Sequence, residues 1–205
     1  LISFTVGTVF LALIVLVTTR SLMIPLSRAA GEPFWIWLGG LCGVTYLTIN
    51  ILLMPRLGRV QTVVFPVMGL ILTSVVIDHF GLFCSQQIPL SITRIAGALM
   101  VIGGVILITL AKLANQQAKS GSSRGASLWV WRALGVAGGS FSGIQIAING
   151  HLGRCLQSPL YAALVSFIVG TLSVLIVVIV LRPKLNGRDQ LTEKFPWWIW
   201  IGGTL

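Results

Sequence analysis

Acidic residues are nearly missing from this chain: four Asp and Glu stand against fourteen Lys and Arg in 205 residues, and charged residues of either sign make up only 9%. So few carboxylates leave no cluster for acid and base work, and no nucleophile lies beside a base, so a membrane-embedded enzyme is disfavoured. Cysteine is scarce as well. Cys42, Cys84 and Cys155 are an odd number without a CxxC spacing, which argues against both a disulfide framework and a zinc site and leaves small apolar packing residues. His79 and His151 have no partner at metal-ligand spacing, so neither a metal nor any other cofactor is expected. The glycine-rich phrase GVAGGSFSG follows no strand, which excludes a phosphate-cradling loop. A channel would need a ring of charges or a carbonyl filter motif, and neither is visible.

What the chain does have is apolar length. Hydrophobic residues make up 56% of it and the mean hydropathy is +0.97, far too apolar for a soluble domain of this size to cover. About 20 helical residues cross the roughly 30 Å hydrocarbon layer. Runs of that kind lie at 1–19, 34–53, 61–80, 91–111, 128–149 and 160–181, and a seventh begins near Pro196. They are too long and too poor in alternating polar residues for barrel strands, so backbone groups in lipid must be satisfied within helices. The expected fold is all-α, a polytopic transmembrane helical bundle. Leu1 already lies inside a span and Leu205 interrupts another, so the sequence reads as part of a longer chain, and no signal peptide can be assessed.

A net charge of +10 could suggest nucleic acid, but the basic residues are confined to the connections between spans, as topology signals are. Connections 20–33, 80–90 and 150–158 share one side and hold Arg20, Arg28 and Arg154, with Arg94 just inside the next span. The other side holds Arg56, Arg59, Lys112, Lys119, Arg124, Arg132, Arg182, Lys184, Arg188 and Lys194. That bias of ten against four makes loops 54–60, 112–132 and 182–195 cytoplasmic in a multi-pass inner-membrane protein. The polar stretch 115–127 reads as a flexible cytoplasmic linker.

Two phrases occur twice. PFWIWLGG opens at Pro33 and PWWIWIGG at Pro196, an offset of 163 residues, and the same offset lays SFTVGT at Ser3–Thr8 on SFIVGT at Ser166–Thr171 without a gap. Tryptophan at membrane interfaces would not fix the spacing of Ser, Phe, Gly and Thr, so the chain carries an internal duplication. Five spans separate each residue from its counterpart, and an odd number of crossings puts the copies on opposite sides. The repeat is therefore inverted, a recurrent plan of secondary transporters. Residues 1–114 form a first five-helix repeat lacking its first helix, and 128–205 supply the first two helices and the start of the third of a second. The parent has ten spans and roughly 300 residues by this spacing.

Of the acids, Glu32, Asp189 and Glu193 lie in connections, while Asp78 ends the third span and Arg94 sits in the first turn of the next. Each charge faces the unfavourable end of its helix dipole, and a direct or His79-assisted pair would relieve both mismatches. Such a pair either ties two helices together or serves proton coupling or substrate gating. Gln145 and Asn149, four apart on one helix face, either bond across the bundle or line a polar pathway. Ser166 and Ser3 are candidates through the repeat alone. Gly135, Gly139 and Gly143, and Gly39 with Gly43, form small-residue faces for helix packing or for sliding.

The phrases INGHLGRCLQSPLYAALVSFIVGT, PWWIWIGG, LMPRLGRVQT and VVIDHFGLF with RIAGALMVIGGVIL resemble the YdcZ-like family of the drug/metabolite transporter superfamily. The resemblance covers nearly the whole chain and implies small five-span proteins or fused ten-span forms with antiparallel halves, this chain being similar to a fused form. Where related sequences carry a Gly-Gln pair, this chain has Gly69 followed by Leu70, so the opposite half is the expected source of that polar group. The expected function is a secondary transporter or exporter of a small organic solute. A non-transporting assembly or accessory protein is the alternative. Expected partners are a small-molecule substrate and the lipid bilayer, with a homo-oligomer as a further option and no nucleic acid.

Overall fold

The computed structural model describes residues 2–21, 23–117 and 125–181. Among them every regular element is helical: α1 (Ile2–Thr19), α2 (Gly39–Phe80), α3 (Ile92–Gln117), α4 (Gly125–Cys155) and α5 (Pro159–Leu181), with 3-10 turns at Leu26–Ala29, Phe34–Trp37 and Leu82–Cys84. Residues 118–124 of the expected linker, the loop 182–195 with Asp189 and Glu193, and the seventh span lie outside the described residues.

Among the described residues three helices are long and apolar enough to cross a bilayer, Gly39–Phe80, Ile92–Ala111 and Pro159–Val180, and Ser3–Thr19 is a shorter apolar helix. The expected span at 128–149 is not among them, because α4 carries Arg132, Gln145 and Asn149 among its many glycines. Large apolar side chains such as Val17, Ile51, Met100 and Val180 point outward and are largely exposed, which suits contact with lipid tails.

The expected cytoplasmic loop at 54–60 is replaced by a single sharp break. Gly58, at φ 75° and ψ 169°, interrupts α2 in a region of backbone space that only glycine occupies readily. The helix therefore falls into arms 39–57 and 59–80, each about 30 Å long at 1.5 Å per residue. Their directions follow from what lies against α4. A side chain at Gly135 would meet Leu53 and Phe65, one at Gly138 would meet Ile49, and one at Gly143 would meet Leu70 and Thr73. Moving forward along α4 thus runs back along the first arm and forward along the second, so the arms are antiparallel.

The chain divides into two compact units, one made of residues up to Val44 with the chain from Ile148, the other of Thr45–Ala147. Each unit draws on both expected repeats. In the first, Ala29, Ile36, Leu152, Leu156, Ala162 and Val165 form a buried cluster flanked by Trp35, Trp37 and Tyr161. The tryptophan phrase is not the first turn of a span, as its hydropathy suggests. Pro33 takes an extended conformation, Phe34–Trp37 coil as a 3-10 turn, and α2 starts only at Gly39. That turn drives Ile36 into full burial against the end of α4 and the start of α5.

In the second unit, Ile49, Leu53, Leu57, Phe65 and Val105 form the core. Glycine sets its tightest contact, since a Cβ at Gly139 would fall on the carbonyl of Pro66. At the end of this unit's α4 segment Arg132 is buried, its guanidinium 4.9 Å from the Trp129 ring centre and 5.9 Å from that of Phe65. Arg56 lies 5.2 Å from that of Trp131. Basic residues assigned to the cytoplasmic side are thus held by aromatic faces as well as by solvent.

Gly139→Val is expected to lower stability by about 1–3 kcal/mol through overpacking, whereas Gly150→Ala, with nothing within 4 Å of the added Cβ, leaves it level or raises it. Thermal unfolding in detergent checks the contrast.

Candidate functional site

Several hydroxyls in the apolar helices are turned inward on their own backbone. Thr62, Thr109, Ser140 and Ser173 each donate to the carbonyl four residues earlier, which satisfies a polar group in lipid without a partner helix. The polar groups that cross between elements are therefore informative, and they gather at three places.

The first is the contact of α1 with α5. Tyr161 donates to Thr19 Oγ1 at 3.2 Å, and Thr8 Oγ1 lies 2.9 Å from Thr171 Oγ1, so the later residue of one helix meets the earlier residue of the other and the pair is antiparallel. The Phe4 and Phe167 rings are 5.8 Å apart. Both Thr8 with Thr171 and Phe4 with Phe167 are separated by 163 residues in sequence, the offset at which the two phrases recur.

Beside this contact Ser166 donates to Asn149 Oδ1 at 2.6 Å, and Gly39 packs so closely that a Cβ there would strike both side chains. Ser166 is buried. Ser3, the other serine singled out by the repeated phrase, is exposed. Gly43 is also buried. Gln145 does not join Asn149: it belongs to the other unit and is only half-buried.

The second place is the end of α2. Arg94 Nη1 donates to Asp78 Oδ2 at 3.1 Å, with each side chain about one-third exposed. The direct pairing expected from opposed helix dipoles is thus present, and the local chain explains it. Gly81, at φ 64°, ends α2 in the left-handed conformation. Ile88 N–H then donates to Asp78 O at 2.8 Å and the Gln87 amide to His79 O at 3.2 Å, closing the loop. Ser91 Oγ accepts from Arg94 N–H at 3.3 Å, capping α3. His79 does not assist the pair. Its ring meets Phe80 edge-on, and its Nδ1 is buried without a hydrogen-bond partner among the described residues.

The third place lay beyond sequence reasoning. His151 Nε2 is 2.9 Å from Glu32 Oε2 and 3.6 Å from Cys155 Sγ, and the imidazole lies 5.4 Å from the Trp35 ring. The hydrogen bond from His151 holds the Glu32 carboxyl below its ordinary range, against the opposing effect of desolvation. The view that His151 lacks a partner at ligand spacing is corrected here: Cys155 stands one helical turn on, the visible half of the signal, while Glu32 is 119 residues distant. The three cysteines are thiols, but only Cys42 and Cys155 are partly buried, and Cys84 is exposed, which does not fit an apolar packing role.

The family described as "putative inner membrane exporter, YdcZ" matches residues 1–107 and 130–205. The chain belongs to this family. It is accordingly a multi-pass protein of the inner membrane. No curated protein and no solved structure matches it significantly.

In a background with Cys42, Cys84 and Cys155 replaced by Ser, the pair Thr8→Cys and Thr171→Cys is expected to close a disulfide on mild oxidation. The pair Val9→Cys and Leu172→Cys, at exposed positions with the same sequence offset, is expected to stay reduced. Protection from thiol labelling reads both.

Proposed function

We propose that this protein is a secondary transporter or exporter that carries a small organic solute by alternating access between two inverted five-helix repeats. The observation that carries this reading is the self-pairing of Thr8 with Thr171 and Phe4 with Phe167 in antiparallel helices. A duplicated unit inserted upside down produces such a contact, and carriers of this plan bind substrate near mid-membrane where the repeats meet. The family's match in two stretches on either side of 108–129 fits the same organisation.

Each polar contact has a role in this scheme. The Asn149 and Ser166 pair offers an amide and a hydroxyl in an otherwise apolar seam, where they can exchange their mutual hydrogen bond for one to a solute. The Asp78–Arg94 pair acts as a latch. Exposed ion pairs contribute about 0–1 kcal/mol, so this one can open and close within a transport cycle. Opening it leaves each charge at the wrong end of a helix dipole, at about 0.3–1 kcal/mol apiece, which biases the latch towards closure until a solute compensates. Glycine faces at Gly135, Gly139 and Gly143 let backbones slide with little side-chain interlock.

The test begins with a solute screen by thermal shift on the full-length protein, followed by flux of the best solute into proteoliposomes. Asp78→Asn is expected to insert normally and to lower flux about fivefold to tenfold, equivalent to roughly 1–1.4 kcal/mol. Asp78→Arg with Arg94→Asp rebuilds the pair with favourable dipole ends and is expected to recover flux. Undiminished flux in Asp78→Asn would remove the latch, and the absence of solute-dependent flux would favour the accessory-protein reading.

A further inference from the structure

We propose that Glu32, His151 and Cys155 form a binding site for a borderline-soft divalent cation, zinc in the first place. The three ligand atoms, a carboxylate oxygen, an imidazole nitrogen and a thiol sulfur, lie within 4.8 Å of one another. Tetrahedral zinc, with bonds of about 2.0–2.2 Å to N and O and about 2.3 Å to S, spaces its ligand atoms by roughly 3.3–3.6 Å. His151 Nε2 stands 3.6 Å from Cys155 Sγ and 2.9 Å from Glu32 Oε2. Entry of the ion then requires the carboxylate oxygen to withdraw from Nε2 by a few tenths of an ångström, with Sγ no more than 4.8 Å from it at the outset.

The surroundings favour such an ion. His151 is 9% exposed, and its imidazole lies against the Trp35 ring, which itself packs on the buried cluster of Ile36, Leu152 and Leu156. Two ligands come from one face of a rigid helix at positions four apart. The third is carried by the connection that the 3-10 turns at Leu26–Ala29 and Phe34–Trp37 hold against the same cluster. A thiolate and an imidazole select zinc or similar ions over magnesium and calcium, which prefer oxygen alone. Binding releases the thiol proton to solvent, and the imidazole carries its remaining proton on Nδ1. Glutamate and thiolate together neutralise the ion's two charges. Three protein ligands leave a fourth position for water.

The bound ion would fasten the connection before α2 to the end of α4, so the site stands independently of whether the protein transports anything. The experiment adds cobalt, then zinc, to the detergent-solubilised full-length protein. A four-coordinate cobalt spectrum with a thiolate charge-transfer band, displaced by zinc and not by magnesium, is the expected result. Cys155→Ser is expected to abolish the charge-transfer band, whereas Cys42→Ser and Cys84→Ser retain it. Glu32→Gln and His151→Gln are expected to weaken zinc binding at least about tenfold. Cys155→Ser is nearly isosteric, and its unfolding midpoint without metal serves as the folding control. A six-coordinate spectrum without the thiolate band, or zinc affinity unchanged in Cys155→Ser, would overturn the assignment.

Discussion

Hydrocarbon gives a peptide group nothing to bond to, and the rest of this structure follows from that constraint. Every N–H and C=O within the spans must find its partner inside the protein, so the long apolar runs of the described chain are helical. Gly58 turns α2 back on itself in one residue, and Gly81 ends it with Ile88 and Gln87 bonding back to the freed carbonyls. Hydroxyls such as those of Thr62 and Ser140 obey the same constraint by bonding to their own helix.

Polar groups that reach across to another element are then few, and they mark where the protein is specified rather than merely inserted. Lipid tails are as apolar as leucine, so close packing and hydrogen bonds must hold the helices together. The contact of α1 with α5 does so through paired hydroxyls and paired phenylalanine rings. The Gly39 approach to Asn149 and Ser166 does so by bringing backbone onto a polar pair. Close approach at glycine and polar bonding between helices occur together there.

Much of this was legible in the sequence because it depends on local pattern. Three spanning helices follow from apolar length, and the Asp78–Arg94 pair follows from two charges at wrong helix ends joined by a short loop. The 163-residue offset survives in a gapless string of Ser, Phe, Gly and Thr. What escaped depends on conformation or on distant contacts. Hydropathy placed Phe34–Trp37 inside a helix because it does not register the extended Pro33. The spacing of Gln145 and Asn149 put them on one face, but packing assigns them to different units. Of the direct and His79-assisted pairings expected, the direct one forms, and the His79 ring lies against Phe80 instead. Glu32 reaches His151 only through the fold of the connection between them, and no periodicity encodes that.

The claim that the two copies run in opposite directions through the bilayer is tested most directly by sidedness. Single cysteines at Arg20 and at Lys184, which lies outside the described residues one position from its exact repeat equivalent, can be placed in the full-length protein lacking native cysteines. Both are then probed with a membrane-impermeant maleimide before and after permeabilisation. The account predicts that Arg20→Cys labels from outside the inner membrane and Lys184→Cys only once the membrane is opened. Labelling of both from the same side would contradict it.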